Sequence, residues 1–309
     1  MRLLHPTTEE TGTSVLFVHG QPQGFRLRPN ARAICTRTLD RDTIYSVTCT
    51  IDSTGGRKTR QPKVYSERTV VFLGCSFTFG TGVDDDQTLP AWYAQIDTSA
   101  RVLNRAVPGY GPQNWWLQFK EKEMAPLIHS DSVLFILPII DGHLARAVGS
   151  MQVYSTWGEN LPYCRLEDDQ IAQYGTFTTG RPFTSTLYWM LYKSPVVRFL
   201  GIDLPATRSE GSLKLMKALL EGTARMAREQ HPRSRFLVLL YPGMTTAPYF
   251  VEHLDREWLE VFDLSTMSWQ NEHRIPHDPH PSATGHARVA RSIAGHVHHQ
   301  QPIVGGYVP

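Results

Sequence analysis

Ser76, Asp278 and His280 are the residues of this 309-residue chain whose types and surroundings best fit nucleophilic catalysis. Ser76 ends the apolar run in TVVFLGCSFTFGTG, and Asp278 and His280 share the loop HDPHP. A serine hydroxyl becomes a nucleophile when a neutral imidazole accepts its proton and a carboxylate orients that imidazole. The three residues therefore predict acyl-ester chemistry, with Ser76 as nucleophile, His280 as base and Asp278 as its orienting partner.

Each residue also has a structural explanation when it is taken alone. A serine before a helix is a common N-cap, and Asp278 with His280 fits a turn ahead of the last helix. Catalysis is favoured because a glycine loop, PGYG, follows the neighbouring apolar segment RVLNRAV. We expect the backbone N–H groups of Ser76 and Gly109 to form an oxyanion hole. The sequence departs from the G-x-S-x-G elbow, because Thr78 occupies the second glycine position.

The elements that must position these residues follow from the hydrophobic pattern. From Thr69 onward, short apolar runs such as TVVFLGC, SVLFILPII and RFLVLLYP alternate with helical patterns such as the one over PSATGHARVARSIAGHV. Fully apolar strands separated by helices predict an α/β fold, a parallel sheet covered on both faces. In such sheets, sites form at the carboxyl ends of the strands, where Ser76 and the glycine loop stand.

The chain is predicted to divide into an N-terminal β-rich subdomain at 1–67 and a larger domain at 68–309. An aromatic-rich insertion at about 150–204 interrupts the alternating pattern. Two interpretations of it stay open: a cap beside the site, or ordinary packing of an irregular segment. Within the first subdomain, ARAICTRTLDRDTIYSVTCTID predicts a β-hairpin that places Cys35 opposite Cys49. A disulfide and two free thiols are both open.

Composition excludes several classes of function. A net charge of +2 and the lack of an aromatic-interleaved basic stripe argue against nucleic acid binding. No apolar run approaches the roughly 20 residues that span a bilayer. The start MRLLHPTTEE lacks the apolar segment of a signal peptide. A chain that begins after such a segment would look the same, so the compartment is undetermined: secreted or periplasmic in that case, cytoplasmic otherwise. No metal-ligand spacing is present, Asp84-Asp85-Asp86 fits a solvated turn, and no cofactor is expected.

Three blocks of the sequence resemble the SGNH/GDSL hydrolase family. GCSFTFGTGVDDDQTLPAWYA resembles the first block, with Cys75 where the family usually has aspartate, NRAVPGYG the second, and DPHPSATGH the last. The resemblance implies a three-layer α/β/α, flavodoxin-like fold and attack by Ser76, with His280 as base and Asp278 orienting it. The preceding segment looks like the β-rich leader of bacterial members that act on polysaccharides.

The third family block departs from its usual form. The family carries an asparagine oxyanion donor after the third strand, whereas this chain reads PIIDGH, with Ile140 and Asp141 at that place. His143 is a candidate replacement donor that would line the substrate site, and a structural histidine is the alternative. Trp115 or its neighbour Trp116 is expected to face a sugar or acyl group.

The leading functional prediction is hydrolysis of an ester, an O-acetyl group on a carbohydrate. The triad supports acyl-ester chemistry only; the acetyl and sugar parts come from the resemblance and the aromatic insertion. Two alternatives stay open: an O-acyltransferase to a sugar hydroxyl, and a non-catalytic carbohydrate-binding protein on the same fold. The expected partner is a small-molecule or carbohydrate ester, and the oligomeric state is undetermined.

Overall fold

The structure is a computed structural model that describes residues 8–20, 22–60 and 67–299. Its strands are β1 (Thr8–Thr11), β2 (Phe17–Gly20), β3 (Gly24–Leu27), β4 (Arg32–Leu39), β5 (Asp42–Thr50), β6 (Arg68–Phe72), β7 (Arg101–Asn104), β8 (Ser132–Ile139), β9 (Pro162–Glu167), β10 (Gln170–Thr176), β11 (Ser234–Leu240) and β12 (Glu260–Asp263). Its α-helices are α1 (Ser76–Phe79), α2 (Leu89–Ile96), α3 (Pro112–Lys120), α4 (Gly142–Val148), α5 (Met151–Val153), α6 (Phe177–Gly180), α7 (Pro182–Tyr192), α8 (Pro195–Phe199), α9 (Glu210–Gln230), α10 (Ala247–His253) and α11 (Ala283–His299). A π-helical turn spans Tyr154–Gly158.

A five-stranded parallel sheet runs through the larger part of the chain in the order β12-β11-β8-β6-β7. Its strands are apolar at successive positions because both faces are covered. Val70 and Phe72 of β6 point to one hydrophobic cluster, whereas Val71 points to the other. This alternation divides the core into two layers of packing, one on each face of the sheet.

Helices cover both faces of the sheet. α2 and α11 pack on the face of Phe72, with Tyr93, Val289 and Ile293 in that cluster. α3 and α9 pack on the opposite face, with Phe119 among the buried side chains. The predicted three-layer α/β/α architecture is therefore confirmed.

The N-terminal segment is β-structured, as predicted. β1, β4 and β5 form an antiparallel sheet, and β2 and β3 form a separate hairpin. Apolar side chains of this segment, such as Leu16 and Leu27, belong to the same hydrophobic cluster as Val71 of the parallel sheet. The division after residue 67 stays a prediction, because it adjoins residues 61–66, which lie outside the described residues.

The β4–β5 hairpin forms, but the cysteines are not opposite each other. The turn is the pair Asp40-Arg41, with Asp40 in the left-handed region at φ 55°. Because of the position of this turn and a bulge after Arg37, Cys35 lies opposite Val47, and Cys49 lies opposite Ala33. Both thiols are free and buried. The expectation of opposed cysteines is wrong because the turn centre lies earlier than the sequence symmetry suggested.

The insertion after β8 contains secondary structure of its own. β9 and β10 form an antiparallel hairpin, and α6, α7 and α8 follow it before the long helix α9. Within the described residues, none of the helices has the length and apolar character needed to cross a membrane.

Candidate active site

Ser76 lies at the start of α1, and three residues separate it from the end of strand β6, which pairs with the central strand β8. The chain turns sharply there because Gly74 has φ 138°, a conformation that L side chains rarely adopt. A Cβ atom at Gly74 would lie 2.3 Å from the Thr78 hydroxyl oxygen. Glycine at this position therefore allows the tight turn that presents Ser76 at the strand end.

The loop before α11 brings His280 and Asp278 to Ser76. His280 Nε2 lies 2.8 Å from Ser76 Oγ, and His280 Nδ1 lies 2.5 Å from Asp278 Oδ1. The backbone N–H of His280 also donates to the same Asp278 oxygen at 2.8 Å. The hydroxyl, imidazole and carboxylate thus form one continuous hydrogen-bonded chain, in the order that nucleophilic catalysis by serine requires.

The Asp278 carboxylate has no solvent-exposed surface and is held at both oxygens. Its second oxygen, Oδ2, accepts a hydrogen bond from Arg37 Nη1 at 2.5 Å. Burial acts to raise the pKa of Asp278, but hydrogen bonds and positive charge from His280 and Arg37 outweigh it, so the net pKa is lowered. Asp278 is therefore a carboxylate, the form that holds an imidazole N–H.

Two backbone N–H groups are available beside the serine. Within the described residues, no acceptor contacts the backbone N–H of Ser76 or of Gly109. Gly109 has φ 88°, and a Cβ atom there would lie 3.0 Å from Phe25 and 3.1 Å from Trp157. The backbone conformation thus favours glycine, and the aromatic rings leave little room for a side chain. The oxyanion role of the Ser76 and Gly109 N–H groups stays a prediction.

A groove of about 510 Å³ opens over Ser76 and His280. It combines aromatic faces with hydroxyl, carboxylate, imidazole and guanidinium groups. Its remaining lining residues are Glu10, Thr13, Ser14, Phe17, His19, Phe25, Thr81, Pro108, Gly109, Arg146 and Trp157.

Sequence reasoning missed most of this lining. Glu10, Phe17 and Phe25 come from the N-terminal β segment, and no spacing in the sequence connects them to Ser76. Trp157 also lines the groove. It belongs to the aromatic-rich insertion, for which a cap beside the site was one of the two interpretations. The residues from the N-terminal β segment could not be found from local sequence patterns, because only long-range packing of that segment on the larger domain brings them to Ser76.

His143 and Trp115 lie beneath the serine turn, away from the groove. Both side chains are fully buried, with their rings edge to face and the centroids 4.8 Å apart. Trp115 Nε1 donates to the Gly74 carbonyl at 3.3 Å, and His143 Nδ1 accepts from the Ile140 N–H at 3.1 Å. Burial and the charge of Arg146 hold the pKa of His143 well below its usual value. The structure thus gives them packing contacts instead of the expected place in the substrate lining.

Asp141 has a structural environment. Its two carboxylate oxygens accept hydrogen bonds from the backbone N–H and hydroxyl groups of Thr245 and Thr246, at 2.6–3.1 Å. Burial raises the pKa of Asp141 and these hydrogen bonds lower it by more. Ile140, at the place of the family asparagine, lines a separate cavity of about 230 Å³ beside Phe77.

Arg57 connects the N-terminal segment to the loop that follows Ser76. Its buried guanidinium donates to the carbonyls of Phe79, Gly80 and Val83 and to the Asp85 carboxylate. Backbone N–H groups of β5 donate to the carboxylates of Asp84 and Asp85 as well. Two of the three consecutive aspartates therefore hold strand β5, and among the described residues no cluster of metal-ligating side chains is present.

No family profile matches the chain, and no curated protein sequence matches it. Solved structures are similar to the chain, and they include a protein of the family that the sequence blocks resemble. A G-D-S-L family lipolytic protein from Desulfitobacterium hafniense is 13% identical, with 74% of this chain and 98% of that chain covered and a TM-score of 0.40.

Two esterases are similar at the same level. An acetyl xylan esterase from the rumen bacterium Butyrivibrio proteoclasticus is 13% identical, with 89% of this chain and 72% of that chain covered and a TM-score of 0.41. An acetyl-xylooligosaccharide esterase from Geobacillus is 14% identical, with 80% and 99% covered and a TM-score of 0.40. At these values the likeness carries no conclusion about activity.

Proposed function

We propose that this chain is an SGNH/GDSL-type serine esterase that hydrolyses an O-acyl ester, an O-acetyl group on a carbohydrate. The observation that carries the proposal is the hydrogen-bonded chain from Ser76 Oγ through the His280 ring to the Asp278 carboxylate. A serine hydroxyl with a purely structural role needs only a hydrogen-bond partner. That partner does not have to be an imidazole whose other nitrogen is held by a buried carboxylate.

The reaction follows from this geometry in two steps. His280 Nε2 takes the proton of Ser76 Oγ as that oxygen bonds to the ester carbonyl carbon, and the carbonyl oxygen becomes an oxyanion. The N–H groups of Ser76 and Gly109 stabilise this charge. His280 then gives the proton to the alcohol oxygen, the ester C–O bond breaks, and the acyl group remains on Ser76.

Water completes the cycle by the same proton transfers. His280 accepts a proton from water as the water oxygen attacks the acyl carbon, and returns it to Ser76 Oγ when the carboxylic acid leaves. Asp278 keeps the ring oriented and favours the imidazolium that forms in each step. The acyl group leaves as a carboxylic acid and the carbohydrate keeps its hydroxyl.

The lining of the groove supports a carbohydrate alcohol. Phe17, Phe25 and Trp157 offer aromatic faces to the apolar C–H surface of a sugar ring, and Glu10 and Arg146 offer hydrogen-bonding groups beside them. A purely apolar acyl chain could not hydrogen-bond with these charged groups, whereas sugar hydroxyl groups can. The acetyl group is the small acyl part that leaves the groove free for the sugar.

The test is ester hydrolysis by the purified chain. We expect turnover of p-nitrophenyl acetate and release of acetate from an acetylated xylo-oligosaccharide, both lost in Ser76→Ala. Ser53→Ala, which changes an exposed turn serine, is the matched control and should keep full activity. A Ser76→Ala protein as active as the wild type would remove Ser76 as the nucleophile.

The sugar part is tested separately. Trp157→Ala should raise KM for the acetylated oligosaccharide and leave KM for p-nitrophenyl acetate little changed, because only the larger substrate reaches the ring. Equal effects on both substrates would argue against a sugar subsite at Trp157. Acyl transfer to an added sugar acceptor, in excess over acetate release, would identify the chain as an acyltransferase with the same residues.

A further inference from the structure

Exposed large hydrophobic residues are concentrated on helices α7 and α8 and the turn that follows them. Nine of the fifteen such residues among those the structure describes lie between positions 183 and 204. They are Phe183, Leu187, Trp189, Met190, Val196, Phe199, Leu200, Ile202 and Leu204. We call these nine residues the apolar hairpin face. Soluble proteins rarely expose so many large apolar side chains in one short segment without a partner for them.

Helix α7 has one face that is covered and a second, apolar face that is not. Ser185 and Tyr188 face inward, where Ser185 Oγ donates to the Phe177 carbonyl at 2.6 Å. Phe183, Leu187 and Met190 follow the i, i+4, i+7 spacing of one helix face and point to solvent. Packing inside the chain therefore does not explain the second face.

The scaffold under this face is firmly attached. Arg181 donates to the carbonyls of Val148 and Gly149, and its guanidinium lies over the rings of Phe177 and Tyr188. At the other end, the Asp203 carboxylate accepts the backbone N–H of Gln152 at 2.8 Å. The exposed side chains thus project from an anchored pair of helices.

The charge of helices α7 and α8 and of the link between them has one sign. No aspartate or glutamate occurs from residue 170 to residue 202, whereas Lys193 and Arg198 are exposed between the apolar residues. The Lys193 ammonium lies 3.2 Å from the centre of the exposed Trp189 ring. An apolar helix surface with indole and basic groups at its edge has the composition of an interfacial membrane helix.

We propose that the apolar hairpin face docks on an anionic lipid surface, with Phe183 and Phe199 inserted among the acyl chains. These two side chains are the most exposed of the nine, at 92% and 89%. Lys193 and Arg198 contact the lipid phosphates. The proposal does not depend on the esterase function and stands or falls by itself.

The chemistry of the face favours lipid over the other occupants. Six of the nine side chains are aliphatic or methionine, whereas a sugar chain is bound by aromatic faces with hydrogen-bonding groups between them. A second copy of this chain, paired face to face, would bring the Lys193 and Arg198 charges of both copies together. At a surface of phosphate headgroups, by contrast, both basic groups are attracted by the negative charge of the lipid.

Docking would also place the groove close to the lipid surface. Ser155 Oγ donates to the Tyr188 carbonyl of α7 at 3.5 Å, so α7 packs on the π-helical turn. The same turn carries Trp157, which lines the groove over Ser76. A substrate at the membrane would therefore reach the groove from the side of the hairpin.

The experiment is flotation of the full chain with vesicles of phosphatidylcholine alone and of phosphatidylcholine with phosphatidylglycerol. We expect binding to the anionic vesicles that falls with added salt, and at least tenfold weaker binding to the neutral ones. Phe183→Ser with Phe199→Ser should reduce the partition coefficient roughly tenfold or more. Lys193→Gln with Arg198→Gln should reduce it about 25-fold, since each basic residue contributes about fivefold.

Ile34→Ser is the matched control, because Ile34 is an exposed apolar residue far along the chain from the hairpin. It should bind vesicles like the wild type. Both phenylalanine changes are at exposed positions, so the double variant should keep the stability of the wild type. An unchanged melting temperature will show that it is folded. Absence of vesicle binding, or binding equal in wild type and double variant, overturns the proposal. A dimer in light scattering that Phe183→Ser with Phe199→Ser converts to a monomer also overturns it, in favour of a second copy.

Discussion

Arg37 Nη1 lies 2.5 Å from Asp278 Oδ2, although the two residues are 241 positions apart in the chain. The guanidinium comes from the N-terminal strand β4, and the carboxylate from the loop before the last helix. The other Asp278 oxygen binds His280. The N-terminal segment therefore helps to fix the carboxylate that orients the proposed catalytic base.

The first prediction concerns Arg37 as a positioning residue. Arg37→Met should lower kcat/KM about tenfold to a hundredfold, because the carboxylate loses its second anchor and the imidazole loses its orientation. The acid limb of the kcat/KM profile should move to higher pH, since the guanidinium no longer lowers the pKa of Asp278. Steady-state kinetics on p-nitrophenyl acetate across pH measures both effects.

Arg37→Lys should restore part of the activity, because an ammonium keeps the charge but not the planar fork. Arg41→Met, in the exposed turn of the same hairpin, is the control and should leave the profile unchanged. If Arg37→Met had the kinetics and pH profile of the wild type, the contact with Asp278 would be structural only.

The second prediction concerns the glycine loop. Gly109→Ala should lower kcat at least tenfold, because the residue has φ 88° and its new methyl group would press on Phe25 and Trp157. The shift would move the N–H group that is proposed to bind the oxyanion. Gly201→Ala is the control: its φ is 62°, yet no atom lies within 4 Å of the added Cβ. An active Gly109→Ala enzyme would count against an oxyanion role for this loop.

The third prediction concerns Arg57. Arg57→Met should destabilise the fold by about 3–5 kcal/mol, because it removes the cation of a buried charged network and leaves the Asp85 carboxylate and the Val83 carbonyl without the guanidinium as donor. Arg57→Lys should not restore stability, since one ammonium cannot reach acceptors arranged around a planar guanidinium. Urea unfolding followed by circular dichroism measures the change, with Lys58→Met as control. A loss below about 1 kcal/mol would contradict this account.

The fourth prediction concerns pH and His286. Burial, together with the charges of Arg57 and His280, lowers the pKa of His286 to about 3. In the unfolded chain a histidine titrates near 6.5. Between these values the unfolded chain binds a proton that the folded chain does not, so stability falls as the pH falls. For this residue the loss from pH 7 to pH 5 is about 2 kcal/mol.

His286→Leu should remove that part of the pH dependence, whereas His298→Leu, at an exposed position of the same helix, should not. Urea denaturation at pH 7 and pH 5 gives the two free energies of unfolding for each variant. Equal pH dependence in wild type and His286→Leu would show that another group carries the effect.

The sequence by itself determined the parallel sheet and the order of its strand ends. Hydrophobic runs and helical periods are local properties, and the carboxyl ends of parallel strands must lie on one edge. Ser76, Gly109, Asp278 and His280 could therefore be assigned to that edge from the sequence alone. The β4–β5 hairpin was also predictable, but its register was not, because one residue in the turn decides the pairing of every position beyond it.

Only the tertiary structure decided what surrounds the serine. The contact of Arg37 with Asp278, the aromatic wall of Phe25 and Trp157, and the burial of His143 under Trp115 all join segments that are distant in sequence. A polar or aromatic residue has the same local pattern whether it faces a groove or a core. Its role is fixed by which distant side chain packs against it, and that packing is a property of the folded chain alone.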